Sequence, residues 1–567
     1  MSKPEQLITE HIDIWTNSIL AKSTAGRGSS KKYELYGIKK LRELILELAV
    51  RGKLVAQDPN DEPASVLLKK IEIIKQGLIK DKKIKRPKNL ADVSDNEYHF
   101  ETPQGWHWTR LNDIGEWGAG ATPSRSNSQY YGGGIPWFKS GELSKDYISE
   151  SQETITELAL KETSLRKNKS GDVLLAMYGA TIGKASILEI ASTTNQAVCA
   201  CTPFSGISNT FLLMLLKAYR SRFINMGAGG AQPNISREKI IATVIALPPK
   251  EEQNRIVAKV DELMLLCDQL EQQTEASIDA HATLVEVLLA TLTDSTDAND
   301  LAQNWARVSE YFDSLFTTEQ SIEALKQTIL QLAVMGKLVP QKTEDEPASV
   351  LIKKIVAEKV KLIGSKKIKQ EKSLLPISDT EKTFELPLGW EWCRFGKITF
   401  NRDSERIPLS MDIRQNRQGC YNYYGASGVI DSIDDYIFDE PLLLIGEDGA
   451  NLISRSTPIA FIARGRYWVN NHAHVIGGLS EIFLLYLCIY INAISLESYI
   501  TGTAQPKMNQ AKMNTILIAL PPHNEQCRII AKVDELMKIC DQLKDQLQQS
   551  QVTQIQLTDA LVEKALV

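Results

Sequence analysis

The sequence predicts an α+β protein built as a pseudo-two-fold internal repeat, with two α/β inserts separated by long antiparallel helices of a duplicated frame. Three observations carry that prediction. Residues 48–71 (LAVRGKLVAQDPNDEPASVLLKKI) recur at 332–355 (LAVMGKLVPQKTEDEPASVLIKKI), with 18 of 24 positions identical and no gap. Residues 246–270 (ALPPKEEQNRIVAKVDELMLLCDQL) recur at 519–543 (ALPPHNEQCRIIAKVDELMKICDQL), with 19 of 25 identical. Between these stretches the two halves differ almost throughout, and the offset changes from 284 to 273, so the first intervening block is 11 residues longer. Self-similarity of this kind fixes the plan of a chain before any single element does. The division that follows is frame 1–105, insert 106–247, frame 248–389, insert 390–520 and a closing frame helix 521–567.

Taken in order, residues 5–20 have the apolar spacing of a helix, and Gly26–Ser30 breaks it. Helical spacing resumes at Ile38, Leu41, Leu44, Ile45 and Leu48, and Gly52 ends it. Asp61–Glu62–Pro63 starts another helix with apolar positions Val66, Leu67, Ile71 and Ile74, since acidic residues and proline suit a first helical turn. It runs into a basic segment at 80–88, KDKKIKRPK, matched at 365–372 by SKKIKQEK. These are either solvated linkers or straps that touch phosphates. The tryptophans of GWHW (105–108) and GWEW (389–392) are expected to pack in the core where each insert begins.

The first insert reads as short strands, GDVLLAMYGATIG (171–183) and KASILEI (184–190), followed by a helix at 210–219. The second repeats the rhythm with EPLLLIGEDGANLI (440–453), TPIAFIA (457–463) and a helix at 482–494. Near the end of each, GGAQPNI (229–235) matches GTAQPKM (502–508), so the inserts are expected to share a fold and to differ in their surface residues.

After Pro248–Pro249 the apolar residues Ile256, Val260, Leu263, Cys267 and Leu270 step by 4, 3, 4 and 3, as do Ile529, Val533, Leu536, Cys540 and Leu543 in the second copy. This is a coiled-coil-like packing seam. A helix over 250–273 would be about 35 Å long, about one turn of B-DNA. Further helices are expected at 284–292, 301–312, 322–334 and 557–566, with a loop at 294–299.

Bulk properties bound the rest. A chain of 567 residues with 65 basic and 70 acidic residues has a net charge of −5, which does not advertise a nucleic-acid binder, although local patches count for more than the sum. Its eight cysteines include no CxxC pair and, with no leader segment evident, predict reduced thiols in a cytoplasmic protein. The longest apolar run, 482–491, is about half the ~20 residues of a membrane span.

Catalytic motifs are missing. GATIGKA (179–185) is one residue short of a phosphate loop, and Ala185 stands where a magnesium-binding hydroxyl belongs. There is no strand–GxGxxG–helix unit, no Asn-Pro-Pro-aromatic run and no HExxH. His472 and His474 suggest a metal pair, but with no third ligand evident, loop hydrogen bonding is the better reading.

The duplicated frame motifs, GWHW and GWEW, and LPPKEEQ and LPPHNEQ with their helices resemble the specificity subunits of type I restriction–modification systems. ATPSR (121–125), YYGGGIPWFKSGEL (130–143), GDVLLAMYGATIGK (171–184), YYGASGVID (423–431) and LLLIGEDGA (442–450) look like parts of that family's target-recognition domains. The resemblance spans nearly the whole chain. It implies that each insert is a target-recognition domain reading one half of a split, asymmetric site in double-stranded DNA, with the frame helices as spacer. It implies as partners two methyltransferase subunits, which move methyl from S-adenosylmethionine to adenine N6, and two restriction subunits, which use ATP and magnesium to translocate and cut. The chain itself would bind no cofactor or metal, would not be catalytic and would touch no membrane.

Phosphates are met by Lys and Arg, and base edges by Arg, Asn, Gln and Ser on loops. On that basis the residues expected to face DNA are Arg125, Lys139, Ser140, Tyr178, Lys184, Gln232 and Asn234 in the first insert, and Arg417, Tyr423, Tyr424, Arg464, Gln505 and Lys507 in the second. Two other classes compete. A repeat-built scaffold that binds only proteins suits the acidic charge, and a self-contained modification enzyme is opposed by the missing motifs.

Overall fold

The computed structural model describes all residues except 1–2, 22–32, 87–88, 228–232, 297, 371–372, 503–504 and 567. Its contacts divide the chain into two compact units, Met1–Ala276 with Ser550–Val567, and Ser277–Gln549. The frame's principal helices are α1 (Tyr36–Val50), α2 (Ala64–Lys80), α3 (Lys250–Asp294), α4 (Glu319–Val334), α5 (Ala348–Gly364) and α6 (His523–Leu566).

Both long helices exceed the sequence reading. The expected segments at 250–273 and 284–292 are one helix of 45 residues, about 67 Å at 1.5 Å per residue. The expected C-terminal helix at 557–566 is the end of the 44-residue α6. Residues 271–283 interrupt the apolar pattern but contain neither Gly nor Pro, so nothing stops the backbone hydrogen-bond ladder there. At the N-terminus the expected single helix is two short ones, Lys3–Glu10 and Ile12–Asn17, followed by a strand at Leu20–Ala21. The break at Gly26–Ser30 lies outside the described residues.

The helical seam buries Ile256, Val260, Leu263, Cys267 and Leu270, and in the second copy Ile529, Val533 and Cys540. Leu536 and Leu543 are half-buried against the second unit's core. Directions follow from the ion pairs. In the first unit, Arg42 of α1 meets Asp268 and Glu271 of α3 at 2.7 and 2.6 Å, whereas Gln57 and Trp106, beyond the end of α1, reach back to Glu252 at 3.2 and 3.0 Å. α1 and α3 are therefore antiparallel. Tyr36, at the start of α1, donates to Asp559, and Arg51, just past its end, to the Leu566 carbonyl, so α1 runs parallel to the last turns of α6. The opening of α3 and the end of α6 thus run in opposite directions.

The second unit repeats this with the roles exchanged. Lys326 of α4 pairs with Asp541, Glu323 with Lys544 and Glu319 with Gln548, while Gln341 and Trp390 reach Glu525 at the start of α6.

Two local features explain recurring sequence. Gly52 and Gly336 sit at φ +67° and +70°, where a Cβ would come within 2.4 Å of Pro103 and Pro387. The basic segments recur for a structural reason: Lys82 and Lys366 adopt the left-handed conformation, and the amides of Lys83 and Lys367 return to the carbonyls of Leu78 and Leu362 at 2.9 Å each. That geometry closes a helix C-terminus. Both segments thus close a helix, α2 or α5, with the same main-chain geometry; residues 87–88 and 371–372 of the segments are outside the described residues.

Each insert enters and leaves through a two-stranded antiparallel ribbon, His107–Arg110 with Val244–Leu247 and Glu391–Arg394 with Leu517–Leu520. The first insert's main sheet has the order Gly115–Ala119, Val198–Pro203, Val173–Ala176, Ala185–Leu188, Tyr147–Ile148. The second's has the order Phe400–Asn401, Ala473–Gly477, Leu442–Gly446, Ala460–Ala463, the same four strands without the fifth. Each insert also has a three-stranded sheet with one parallel pair, Thr193–Thr194 beside Tyr131–Phe138 in one and Tyr467–Val469 beside Tyr421–Gly425 in the other. An apolar helix, Asn209–Ala218 or Glu481–Ala493, covers the main sheet. The expectation that the inserts share a fold holds.

One helix among the described residues, α3, is long and apolar enough to meet the minimum for a membrane span, which the sequence reading had not noticed. Its apolar part carries Asp279 and Glu286 and places Val285, Leu289 and Leu292 in the second unit's core, as a helix of a packed protein does.

Candidate nucleic-acid interface

At one end of each main sheet the chain brings two distant loops side by side. In the first insert Tyr178 bridges to Asn234; the Gly179 amide donates to the Pro233 carbonyl at 2.8 Å and the Ile235 amide to the Met177 carbonyl at 2.9 Å. In the second, Asp448 bridges to Lys507; the Gly449 amide donates to the Pro506 carbonyl at 3.0 Å and the Met508 amide to the Glu447 carbonyl at 2.8 Å. The two sets of bonds are the same, so Tyr178 and Asn234 occupy the places of Asp448 and Lys507. Tyr178, Asn234 and Lys507 are exposed.

Other predicted residues of the first insert gather near this end. Lys184 precedes the strand Ala185–Leu188 and its carbonyl accepts the Ala176 amide, which puts it at the same edge as Tyr178. It leads into a strand and not a helix, as a phosphate loop would require. Thr122 hydrogen-bonds Gln196, next to Ala197, whose carbonyl accepts the Met177 amide, and this draws the 120–125 loop to the same end. Arg125 and Lys139 converge on one carboxylate, Glu153, and lie over the rings of Tyr131 and Trp137. The two cations hold that carboxyl below its ordinary range. Ser140 is half-buried in a 3-10 turn whose amide at Lys139 is held by Glu142. Gln232 lies outside the described residues.

The second insert sorts differently. Lys507 pairs with Glu447 at 3.1 Å, and Gln505 is exposed two residues before it. Tyr423 is a correction: it is fully buried, with its hydroxyl accepting the Leu409 amide, so it belongs to the core and cannot meet DNA. Alternation along the strand Tyr421–Gly425 turns it inward. Tyr424 is half-buried, stacked on Phe461 and edge-on to Tyr467. Arg464 is exposed but follows the strand Ala460–Ala463, whose end pairs with the start of Leu442–Gly446, so it sits at the opposite edge from Lys507 and pairs with Glu481. Arg417 pairs with Asp434 at the start of its hairpin and lies over Trp468.

The residues that sequence reasoning missed are Asp448 and, beneath it, Asp403, Arg406 and Glu447; His474, weighed above only as a metal ligand, lies among them. The signal available was the shared Gly-Ala after an apolar run, MYGA beside EDGA, which aligns Tyr178 with Asp448. Of the two histidines, His472 hydrogen-bonds in a loop as expected, whereas His474 is buried in the strand Ala473–Gly477. His472 meets Asp448 at 2.9 Å, and His474 meets Asp403 at 2.6 Å and the Met508 carbonyl at 2.9 Å.

A groove of about 1340 Å³ lies away from these loops, between α2 and the segment 89–113, lined by Lys75, Tyr98, Phe100 and Trp108 among others. Of the tryptophans at the insert junctions Trp106, Trp108 and Trp390 are buried and Trp392 is half-buried against the core, and there is a further tie: Trp106 and Trp390 each donate at 3.0 Å to the buried carboxylates Glu252 and Glu525 at the start of the long helices.

Two dissimilar loop pairs on one duplicated α/β module, carried by a helical frame, describe a recognition protein with two reading heads. The family model for the type I restriction modification DNA specificity domain matches residues 103–280 and again 389–551. The chain belongs to that family, and each insert with its following helix is one such specificity domain. It is 40% identical to the type I restriction enzyme EcoEI specificity subunit of Escherichia coli over 99% of both chains, and 39% identical to the EcoAI specificity subunit of the same organism, also over 99% of both.

Proposed function

We propose that this chain reads a split, asymmetric site in double-stranded DNA, one half with each insert, and presents it to two adenine-N6 methyltransferase subunits and two motor–nuclease subunits. It is not itself catalytic. S-adenosylmethionine, ATP and magnesium serve the partner subunits. The complex works in the cytoplasm, where its DNA is.

The observation that carries this reading is the equivalence of the loop pairs. A neutral Tyr178–Asn234 pair and a charged Asp448–Lys507 pair stand at the same place on the same fold. Asn presents a donor and an acceptor and suits an adenine edge, Lys suits guanine or phosphate, and Asp accepts from cytosine. Equal scaffolds with unequal loops read unequal half-sites, and a pseudo-two-fold protein matches the two-fold symmetry of duplex DNA. Two heads on one frame gain affinity through effective concentration.

The test is an exchange of insert 106–247 for that of a relative with a different target, in complex with the methyltransferase. One half of the methylated site changes and the other stays. A change in both halves, or in neither, contradicts the proposal. The scaffold alternative draws on the net charge of −5 and on the carboxylate partners of Arg125, Arg417 and Arg464. It predicts no binding of random duplex at low salt.

A further inference from the structure

Beneath its loop pair the second insert carries ionised side chains that the first does not. Strand register gives the equivalences. Ala176 pairs with Val198 and Gly446 with Ala473, so Met177 stands where Glu447 does and Cys199 where His474 does. Ala119 pairs with Cys199, which places it where Asp403 approaches His474. The first insert therefore underlays its loops with Met, Ala and Cys, and the second with Glu, Asp and His.

The geometry of His474 sets its charge. The ring is 1% exposed, with Nδ1 at 2.6 Å from Asp403 Oδ2 and Nε2 at 2.9 Å from the Met508 carbonyl. A carbonyl and a carboxylate are both acceptors, so both ring nitrogens carry protons and the ring is an imidazolium. Burial alone would lower its pKa; Asp403, the Met508 carbonyl and Glu447 outweigh that and hold it above the ordinary value. The remaining groups close the network. Arg406 donates to Glu447 at 2.9 Å and to the Ala473 carbonyl at 2.7 Å, and its other nitrogen lies 3.6 Å from Asp403. Asp403 accepts the Val475 amide at 2.8 Å, and Glu447 accepts Lys507 at 3.1 Å. Asp448 and its partner His472 stand just outside. Beside its main-chain pairing with Thr501, the Lys507–Met508 segment is held by the Glu447 carboxylate, the Glu447 carbonyl and the His474 ring, and of these last three the first insert has only the main-chain one.

We infer that Asp403, Arg406, Glu447 and His474 are positioning residues for the second half-site: they hold Lys507 and Asp448 in the arrangement that reads it, and the first half-site has no such dependence. The inference rests on the proposed split-site reading. Removing the ring proton forfeits one of two hydrogen bonds and leaves the two carboxylates with less counter-charge. Low dielectric makes both losses large. A raised folded-state pKa gives a contribution that is complete below the ordinary histidine value of about 6.5 and lost as pH rises through the folded value.

The experiment uses the full chain in complex with its methyltransferase subunits. Methylation is compared between the preferred site and sites with one base changed in either half. His474→Gln and Glu447→Gln lower discrimination in the second half by about tenfold, the scale of one lost base contact, and leave the first half within about twofold. The wild-type complex loses second-half discrimination as pH rises above the ordinary histidine range, and His474→Gln abolishes that pH dependence. Lys507→Gln, an exposed change that leaves the interior intact, gives the same half-selective loss, and where a buried variant folds poorly the pH dependence of the wild-type complex carries the test. Equal loss in both halves, an unchanged second half in folded His474→Gln and Glu447→Gln, or a wild-type discrimination that does not fall as pH rises overturns the inference, whatever Lys507→Gln does. A wild-type complex that methylates no split site overturns the parent reading, and with it this one, before any substitution is made.

Discussion

The Lys53 ammonium donates to the backbone carbonyl of Leu566 at 2.8 Å, and Lys337, 284 residues further on, donates to that of Thr293 at 2.6 Å. Leu566 lies 273 residues after Thr293, so the two bonds are repeat equivalents. Each lysine satisfies carbonyls at a helix C-terminus, where the helix dipole also favours a cation. Each frame copy therefore holds the end of the other copy's long helix. Removal of residues 550–567 takes away the Ser18–Thr558, Tyr36–Asp559 and Lys53–Leu566 bonds together. The truncated chain is expected to lose protection from hydrogen exchange in α1 and at Trp15 first, while residues 277–549 keep theirs. Uniform protection in both units would contradict the exchange of helix ends.

The seam makes a sharp contrast along one helix. Ile256 is fully buried and Leu265 is 59% exposed. Ile256→Ala, and likewise Ile529→Ala, is expected to cost about 2–5 kcal/mol, and Leu265→Ala less than about 0.5 kcal/mol. Denaturant unfolding of the three variants checks this, and similar costs at all three sites would place the seam elsewhere.

Glu252 and Glu525 are buried at the starts of the long helices, and burial raises both carboxyls despite the bonds from Gln57, Trp106, Gln341 and Trp390. A raised carboxyl favours folding when protonated, below the ordinary value of about 4.3, and that contribution is lost as pH rises through the folded value. At neutral pH the charge is a cost. Glu252→Gln with Glu525→Gln is expected to raise Tm at pH 7–8 and to bring no gain near pH 4. A lower Tm across the whole range would mean that the carboxylates are wanted as charges, as partners of the nearby Arg255 and Arg528.

How much of this was legible is clearest at particular residues. The repeat, the helical seam and the shared fold of the inserts were written in identities and apolar spacing, because burial selects those residues in every copy. The unity of α3 was not. Residues 271–283 lose the apolar rhythm, and periodicity reports a buried face, not a continuous backbone. The basic segments were read only for their side-chain contacts, whereas the left-handed Lys82 and Lys366 also end a helix there. Tyr178, Lys184 and Asn234 lie at the loop end of the first insert's sheet and Lys507 at that of the second, places that spacing along the chain does not give. Tyr423 lies in the core because one step along a strand reverses a side chain, and Arg464 lies at the other sheet edge, which looks no different in sequence. Asp403, Glu447 and His474 are 27 or more residues apart and meet only through the sheet.

Salt dependence tests the loop faces. Each phosphate neutralised adds about 0.9 to the slope of log affinity against log salt. Lys184→Ala and Lys507→Ala are each expected to reduce the slope by about one unit, and Arg464→Ala, at the opposite sheet edge, to leave it unchanged. If Arg464→Ala alone flattens the slope, the DNA runs along the other edge.

The measurement that tests the central claim most directly is a map of methylated adenines in DNA from cells that express this chain with its methyltransferase subunit. The account predicts a split motif of two unlike halves at fixed spacing, with one adenine modified on each strand, and relaxation of the second half alone when Lys507 is replaced. A palindromic or continuous motif, or no new methylation from a methyltransferase that is folded and binds its cofactor, would contradict it.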